Sequence, residues 1–169
     1  MSTTELRVRC AAPVGQLWAV LADLPATTAP VPLTSATGDD GPLRLGWGFT
    51  ARTGLGPLGF DDTMLVTSLR PPSPDGPGGS GGSGGDEGGT VRVVKVGRLL
   101  DGWAEMTALP DGPGASVLRW REQVGPRSAV LRALTPARVQ DAATRQLLAR
   151  MAADVVGRAE RAHRAASRR

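Results

Sequence analysis

Leu43-Arg44-Leu45-Gly46-Trp47-Gly48-Phe49-Thr50-Ala51-Arg52 is the stretch on which the fold turns. Leu43, Leu45, Trp47, Phe49 and Ala51 alternate with Arg44, Gly46, Gly48, Thr50 and Arg52. Side chains of a strand point to opposite faces in turn, so this spacing predicts a half-buried strand over residues 43–51. Gly54 to Gly59 supplies a turn, and residues 61–69, with Met64, Leu65, Val66 and Leu69, resume as a strand. Two antiparallel strands joined by a hairpin result.

Upstream, residues 5–11 place Leu6, Val8 and Cys10 on one face and Arg7 and Arg9 on the other, which predicts another half-buried strand. Pro13 suits a first helical turn, and Leu17, Trp18, Leu21 and Leu24 recur at helical spacing until Pro25. Pro25, Pro30 and Pro32 preclude a longer helix, leaving room for one further turn between Ala26 and Ala29. Downstream, residues 71–89 are rich in Gly, Ser and Pro and cannot bury enough apolar surface to offset their ordering entropy. They are expected to form a disordered insertion within one hairpin, because closing such a loop costs little and either half of the chain alone would build a poor core. Residues 90–98, 102–109 and 115–124 read as three more strands, separated by turn-forming residues.

From about Ala137 the period becomes helical. Ala143, Leu147, Met151, Val155 and Ala162 share a face widened by Leu148 and Ala159, with Arg145, Gln146, Arg150, Glu160 and Arg164 mostly outside it. A long amphipathic helix must cover an apolar surface, and the large one available is the concave face of a curved sheet. The expected class is therefore α+β, a helix on an antiparallel sheet, in a single domain spanning 1–169.

Composition narrows the function classes. At 169 residues and 40% hydrophobic content, the chain can build one core, and no run of about eighteen apolar residues occurs. Met1 to Cys10 carries charges where a signal peptide needs an apolar stretch, so a cytoplasmic location is expected. One cysteine, Cys10, and one histidine, His163, exclude a disulfide framework, a Cys/His zinc site and Ser/His/Asp chemistry; no cofactor is expected. Nineteen arginines stand against one lysine, Lys95, a global replacement that reads as coding bias. The charge is localised: residues 137–169 hold eight arginines against three acidic residues, while the remainder holds 12 basic and 13 acidic residues.

The opening Leu6-Arg7-Val8-Arg9-Cys10-Ala11-Ala12-Pro13-Val14-Gly15-Gln16-Leu17-Trp18, then Trp103-Ala104-Glu105, Trp120-Arg121-Glu122 and the terminal helix resemble the SRPBCC or START-like superfamily. The likeness is to its polyketide cyclase/dehydrase-like branch, with Arg52 to Asp62 similar to uncharacterised actinobacterial members. That resemblance implies a helix-grip fold: a seven-stranded antiparallel curved sheet wrapped around a long C-terminal helix, with an apolar cavity between them. It implies binding or carriage of a small hydrophobic ligand, lipid or polyketide-like, or else cyclase/dehydrase activity.

The helix-on-sheet reading also places individual residues. Trp47, Phe49, Met64, Met106, Leu118, Trp120, Leu147 and Met151 are expected between sheet and helix, as cavity wall or packed core. Glu122 shares the face of Trp120 at spacing two, so a carboxylate is carried inward and needs a partner or a raised pKa; Asp62 is a candidate neighbour. Glu122 is the candidate general acid/base. Asp61 and Asp62, adjacent in a strand, face opposite sides and form no dyad. Gly54-Leu55-Gly56-Pro57-Leu58-Gly59 satisfies G-x-G-x-x-G but is followed by a strand pattern, so a hairpin turn is expected rather than a dinucleotide site. Cys10 lies on an apolar face and reads as core. Arg158, Arg161, Arg164, Arg168 and Arg169 form a basic helix end suited to solvent or to weak contact with anionic membranes, with no specific nucleic-acid reading.

Overall fold

The computed structural model describes residues 3–73, 88–129 and 137–168. Its order is β1 (Thr4–Cys10), α1 (Val14–Leu21), α2 (Leu24–Thr27), β2 (Thr34–Gly38), β3 (Gly48–Thr53), β4 (Phe60–Arg70), β5 (Gly89–Lys95), β6 (Leu100–Pro110), β7 (Ser116–Pro126) and α3 (Ala137–Ala166). The seven strands form one antiparallel sheet in the order β1-β7-β6-β5-β4-β3-β2. Consecutive strands pair except across the α1–α2 crossover, which carries the chain from one edge of the sheet to the other.

Six of these strands follow the apolar alternation. The seventh, β2, is Thr-Ser-Ala-Thr-Gly, an exposed edge with no apolar face to announce it. It is held by its register with β3 and by the Thr34 and Thr53 hydroxyls, 2.7 Å apart. The strand expected over residues 43–51 is corrected to a later start at Gly48. Gly41 and Gly46 take positive φ values of 85° and 76°, which turn the chain into a loop and leave Leu45 exposed. Trp47 still reaches the interior, its indole N–H donating to the Asp39 carbonyl at 3.0 Å. The ring lies flat against β2, where a Cβ on Gly38 would stand 2.2 Å from it, so glycine is the residue the contact permits.

The segment Gly54–Gly59 forms a 3-10 turn over Gly56–Leu58 and leads into β4, with no helix N-terminus to hold a pyrophosphate. β4 and β5 pair with each other on either side of the Gly/Ser-rich insertion, so it joins neighbours within one sheet. Of residues 71–89, expected as a disordered insertion, 74–87 lie outside the described residues, as does Arg169, and the expected end is corrected at Gly89, which begins β5.

The long helix α3 buries Leu148, Ala152, Val155, Val156 and Ala159, whereas Ala143 and Ala162 of the anticipated stripe are exposed. It packs on α1, β1 and β7, with fewer contacts to α2 and none of note to β3–β6. Specific bonds fix it there: Glu160 accepts from the Ala11 amide at 2.9 Å, and Arg158, ion-paired with Asp154 at 2.9 Å, donates to the Ala26 carbonyl at 3.2 Å. Arg158 is thus a bolt between α3 and α2. Arg164 lies 3.7 Å from Glu160. No helix among the described residues is long and apolar enough to cross a membrane.

On the outer face, Arg92 stacks on Trp103 at 4.4 Å, and Arg121 lies 5.7 Å from the same ring. Arg92 and Arg121 also meet Glu105, at 3.7 and 3.5 Å. These polar layers keep the convex face wet and leave the concave face apolar.

Candidate functional site

Because α3 leans on the β1–β7 side, a gap remains above β3–β6. It is a partly open cavity of about 390 Å³. Phe49, Ala51, Phe60, Met64, Val93, Leu100, Ala104, Met106, Trp120 and Val124 supply its sheet wall, and Leu147 and Met151 of α3 face them. Small residues enlarge it where the sheet faces the helix, notably Ala51 and Ala104.

Seven of the nine residues singled out from sequence line this space: Phe49, Met64, Met106, Trp120, Glu122, Leu147 and Met151. Trp47 and Leu118 do not. Trp47 packs against Phe49, ring centroids 6.1 Å apart, and against Gly38 behind the wall. Leu118 sits in register between Val8 and Ala108, in the solid part of the core.

The cavity has one polar end, built by residues of β4, β5 and β7, with β6 running between the last two. Asp62 on β4 and Lys95 on β5 are both buried and paired, Lys95 Nζ lying 2.5 Å from Asp62 Oδ2 and 3.7 Å from Met64 Sδ. Asp62 Oδ1 is buried without a hydrogen-bond partner among the described residues. Asp61 points to the opposite face and pairs with Arg52 at 2.9 Å, as adjacent strand residues must. Glu122 on β7 lies opposite Ala104 and Thr4 and lines the same space, with no hydrogen bond to any described residue. Its carboxyl is pushed above the ordinary carboxylate range, first by burial; Lys95 pulls it down and Asp62 pushes it up. Glu122 nevertheless keeps some accessible surface. The two facts agree if that surface opens on the cavity, where low polarability around the carboxyl replaces bulk water.

Chemically, this end offers an ion pair and a carboxyl raised above its ordinary range by burial. Lys95 was missed as a site residue, although the signal was present: Val91, Val93 and Lys95 occupy one face of an alternating strand, so the lysine had to follow the valines inward. Thr27, Thr28, Thr34, Thr53 and Thr144 complete the polar lining; the first two sit on and beside α2, which had too little apolar period to be read as a wall.

Cys10 is buried and lies outside this lining. Burial pushes its thiol up, a hydrogen bond with Ser116 works against that, and Glu160 adds to it, so thiolate chemistry is disfavoured. No group of three metal-ligating side chains occurs among the described residues.

No family model matches the sequence, and no curated protein matches it. Solved structures do. The Zhui aromatase/cyclase of a Streptomyces species superposes with a TM-score of 0.68 at 19% identity, over 95% of this chain and 94% of that one. A START superfamily protein of Mycobacterium smegmatis gives 0.64 at 12% identity, over 94% and 97%. A Thermus thermophilus protein gives 0.67 at 10% identity, over 95% and 99%. The chain therefore has the helix-grip fold of START-like proteins and aromatase/cyclases.

Proposed function

We propose that this protein binds or carries a small hydrophobic molecule in the cavity between α3 and strands β3–β7. One observation carries the reading: an apolar space of about 390 Å³ that ends on a carboxyl with no hydrogen-bond partner among the described residues. Well-packed interiors leave few voids larger than a water molecule, and ligand pockets typically begin near 300 Å³ with a few convergent polar groups. Methionines at 64, 106 and 151 give the wall an adaptable surface. The likeness to a START superfamily protein supports the same reading at the level of fold.

The test uses purified protein, a panel of apolar molecules and the fluorescence of Trp120 against the other indoles. Saturable quenching with a negative heat-capacity change is expected, and Ala104→Phe, which fills the cavity, should abolish it while keeping the fold. Absence of any binding across the panel, or binding that Ala104→Phe leaves intact, would refute the proposal.

A second reading has its own support. A carboxyl biased toward its protonated form beside a Lys–Asp pair is equipped for general acid/base catalysis, and an aromatase/cyclase shares the fold. Under this reading Glu122 transfers protons in a cyclase/dehydrase-like reaction on a polyketide-like substrate. Turnover that disappears in Glu122→Gln while ligand binding persists would select it over carriage alone.

A further inference from the structure

The hydrogen-bonding inventory of the cavity is unbalanced. The Thr27 and Thr28 hydroxyls spend their protons on the Leu24 and Pro25 carbonyls, at 2.6 and 2.8 Å, so they present only lone pairs to other partners. Thr34 and Thr53 bond to each other. Asp62 has an unpartnered buried oxygen, and the Glu122 carboxyl faces the same space. Against these acceptors stand the Lys95 ammonium, already engaged by Asp62 and Met64, the Thr144 hydroxyl on α3, and the Trp120 indole N–H, which is unpartnered but covered. Charge points the same way: Lys95 is bonded to Asp62 and reaches Glu122 only through space, so among the ionisable groups lining the cavity Glu122 is the one with no ion pair to a described residue. Lys95 and Asp62 are the charged groups facing it from β5 and β4; among the described lining residues, β6, α2 and α3 contribute none.

We propose that the ligand is an apolar amine, bound as its ammonium form with Glu122 as counter-ion, and that apolar carboxylic acids are refused. This rests on the cavity being a ligand site and specifies its occupant. The ammonium supplies the missing donors and the missing charge, whereas a carboxylate would add acceptors to a wall that already has a surplus. The proton balance is explicit. At a pH where the free protein holds Glu122 protonated, the ammonium enters with its own proton, the Glu122 proton leaves to solvent, and an ion pair remains; the rise of that carboxyl above its ordinary range sets this direction. Amine affinity therefore rises with pH until Glu122 is ionised in the free protein, and one proton is released for each amine bound below that point.

Three matched probes test this: naphthylethylamine, naphthylethanol and naphthylacetic acid, titrated calorimetrically into the full chain in buffers of different ionisation enthalpy. The amine is expected to bind at least about tenfold more tightly than the acid, with proton release seen as a buffer-dependent enthalpy. Glu122→Gln should lower amine affinity about tenfold and abolish proton release, while measurable binding of the alcohol to the same variant shows that the site is still formed. Tighter binding of the acid, or an amine preference that Glu122→Gln leaves intact, overturns the amine assignment and leaves the cavity reading standing. Failure of all three probes to bind overturns both.

Discussion

Replacing Lys95 with methionine removes one charge while keeping the length of the side chain, and it isolates what the buried pair does. Asp62 and Lys95 are 8% and 9% exposed, and Asp62 Oδ1 already lacks a partner. In Lys95→Met both carboxylate oxygens would be buried with no hydrogen bond and no counter-ion. Breaking a buried pair from one side costs about 3–5 kcal/mol, a large fraction of the ~5–15 kcal/mol that holds a domain folded. With a urea slope near ~2 kcal/mol/M, the unfolding midpoint should fall by roughly 1.5–2.5 M at neutral pH. The isolated carboxyl escapes the cost by taking a proton, so the deficit should shrink as pH falls. Glu122, relieved of the cation that pulls its carboxyl down, should protonate more readily still. Adding Asp62→Asn removes the stranded charge, and the double variant should return to within about 1 kcal/mol of the parent. Urea titrations of the parent, the two single variants Lys95→Met and Asp62→Asn, and the double variant at neutral and acidic pH give the cycle. If Lys95→Met alone costs less than about 1 kcal/mol, or the double variant is as unstable as the single, the pair is solvated and the reasoning fails.

Glu122→Gln should be more stable than the parent at neutral pH. Above the ordinary value of 4.5 the unfolded chain loses this proton while the native state keeps it, so native stability falls as pH rises through that window. The gain, about 1.4 kcal/mol for each unit by which the carboxyl is raised, should vanish in acid, and thermal melts across pH read it directly. Gly38→Ala pushes a Cβ to 2.2 Å from the Trp47 ring, which cannot retreat without giving up its bond to Asp39. A loss of about 1–3 kcal/mol and a shift in Trp emission are expected; a neutral outcome would mean that the ring is not seated there. Arg158→Ala deletes the bond to the Ala26 carbonyl and should cost about 1 kcal/mol, with faster amide exchange confined to α2. Uniform acceleration across the sheet would show that Arg158 does not act as a local bolt.

Strands with one wet and one dry face were legible because alternation and burial are the same fact seen twice. That made the helix-on-sheet class readable from β1, β4, β6 and β7 and brought seven cavity residues to one place. Two kinds of feature escaped. β2 is a two-sided polar edge, so nothing in Thr34–Gly38 distinguishes it from a loop until β3 is there to pair with it. The alternation from Leu43 to Ala51 is genuine, but its first half is broken by backbone conformation at Gly46, where glycine reads equally well as a polar-face residue or as a left-handed turn. Leu118 shares the inward face and falls to packed core, not cavity wall, because a face is set by local period and a cavity by where a distant helix happens to rest. Glu122 could be read inward from its spacing to Trp120. Its unpartnered state could not, since that depends on Asp62 and Lys95 finding each other across β4 and β5.

The one lysine in the chain also changes how the arginine excess should be understood. If a compositional pressure converts basic residues to arginine wherever chemistry is indifferent, the position that keeps lysine is one where the two are not interchangeable. Lys95 is the sole buried basic residue among those described. Its ammonium is a compact charge that one Asp62 oxygen and the Met64 sulfur can hold. A guanidinium brings five N–H donors in a fixed plane, more than this wall can satisfy without drawing Glu122 into the same network. Arginine at position 95 would give Glu122 a partner, lower its carboxyl and occupy the polar end of the cavity. Lysine instead neutralises Asp62 and leaves Glu122 as the unpaired group facing the hollow, so the identity of the cation on β5 decides whether the carboxyl on β7 is available to anything that enters.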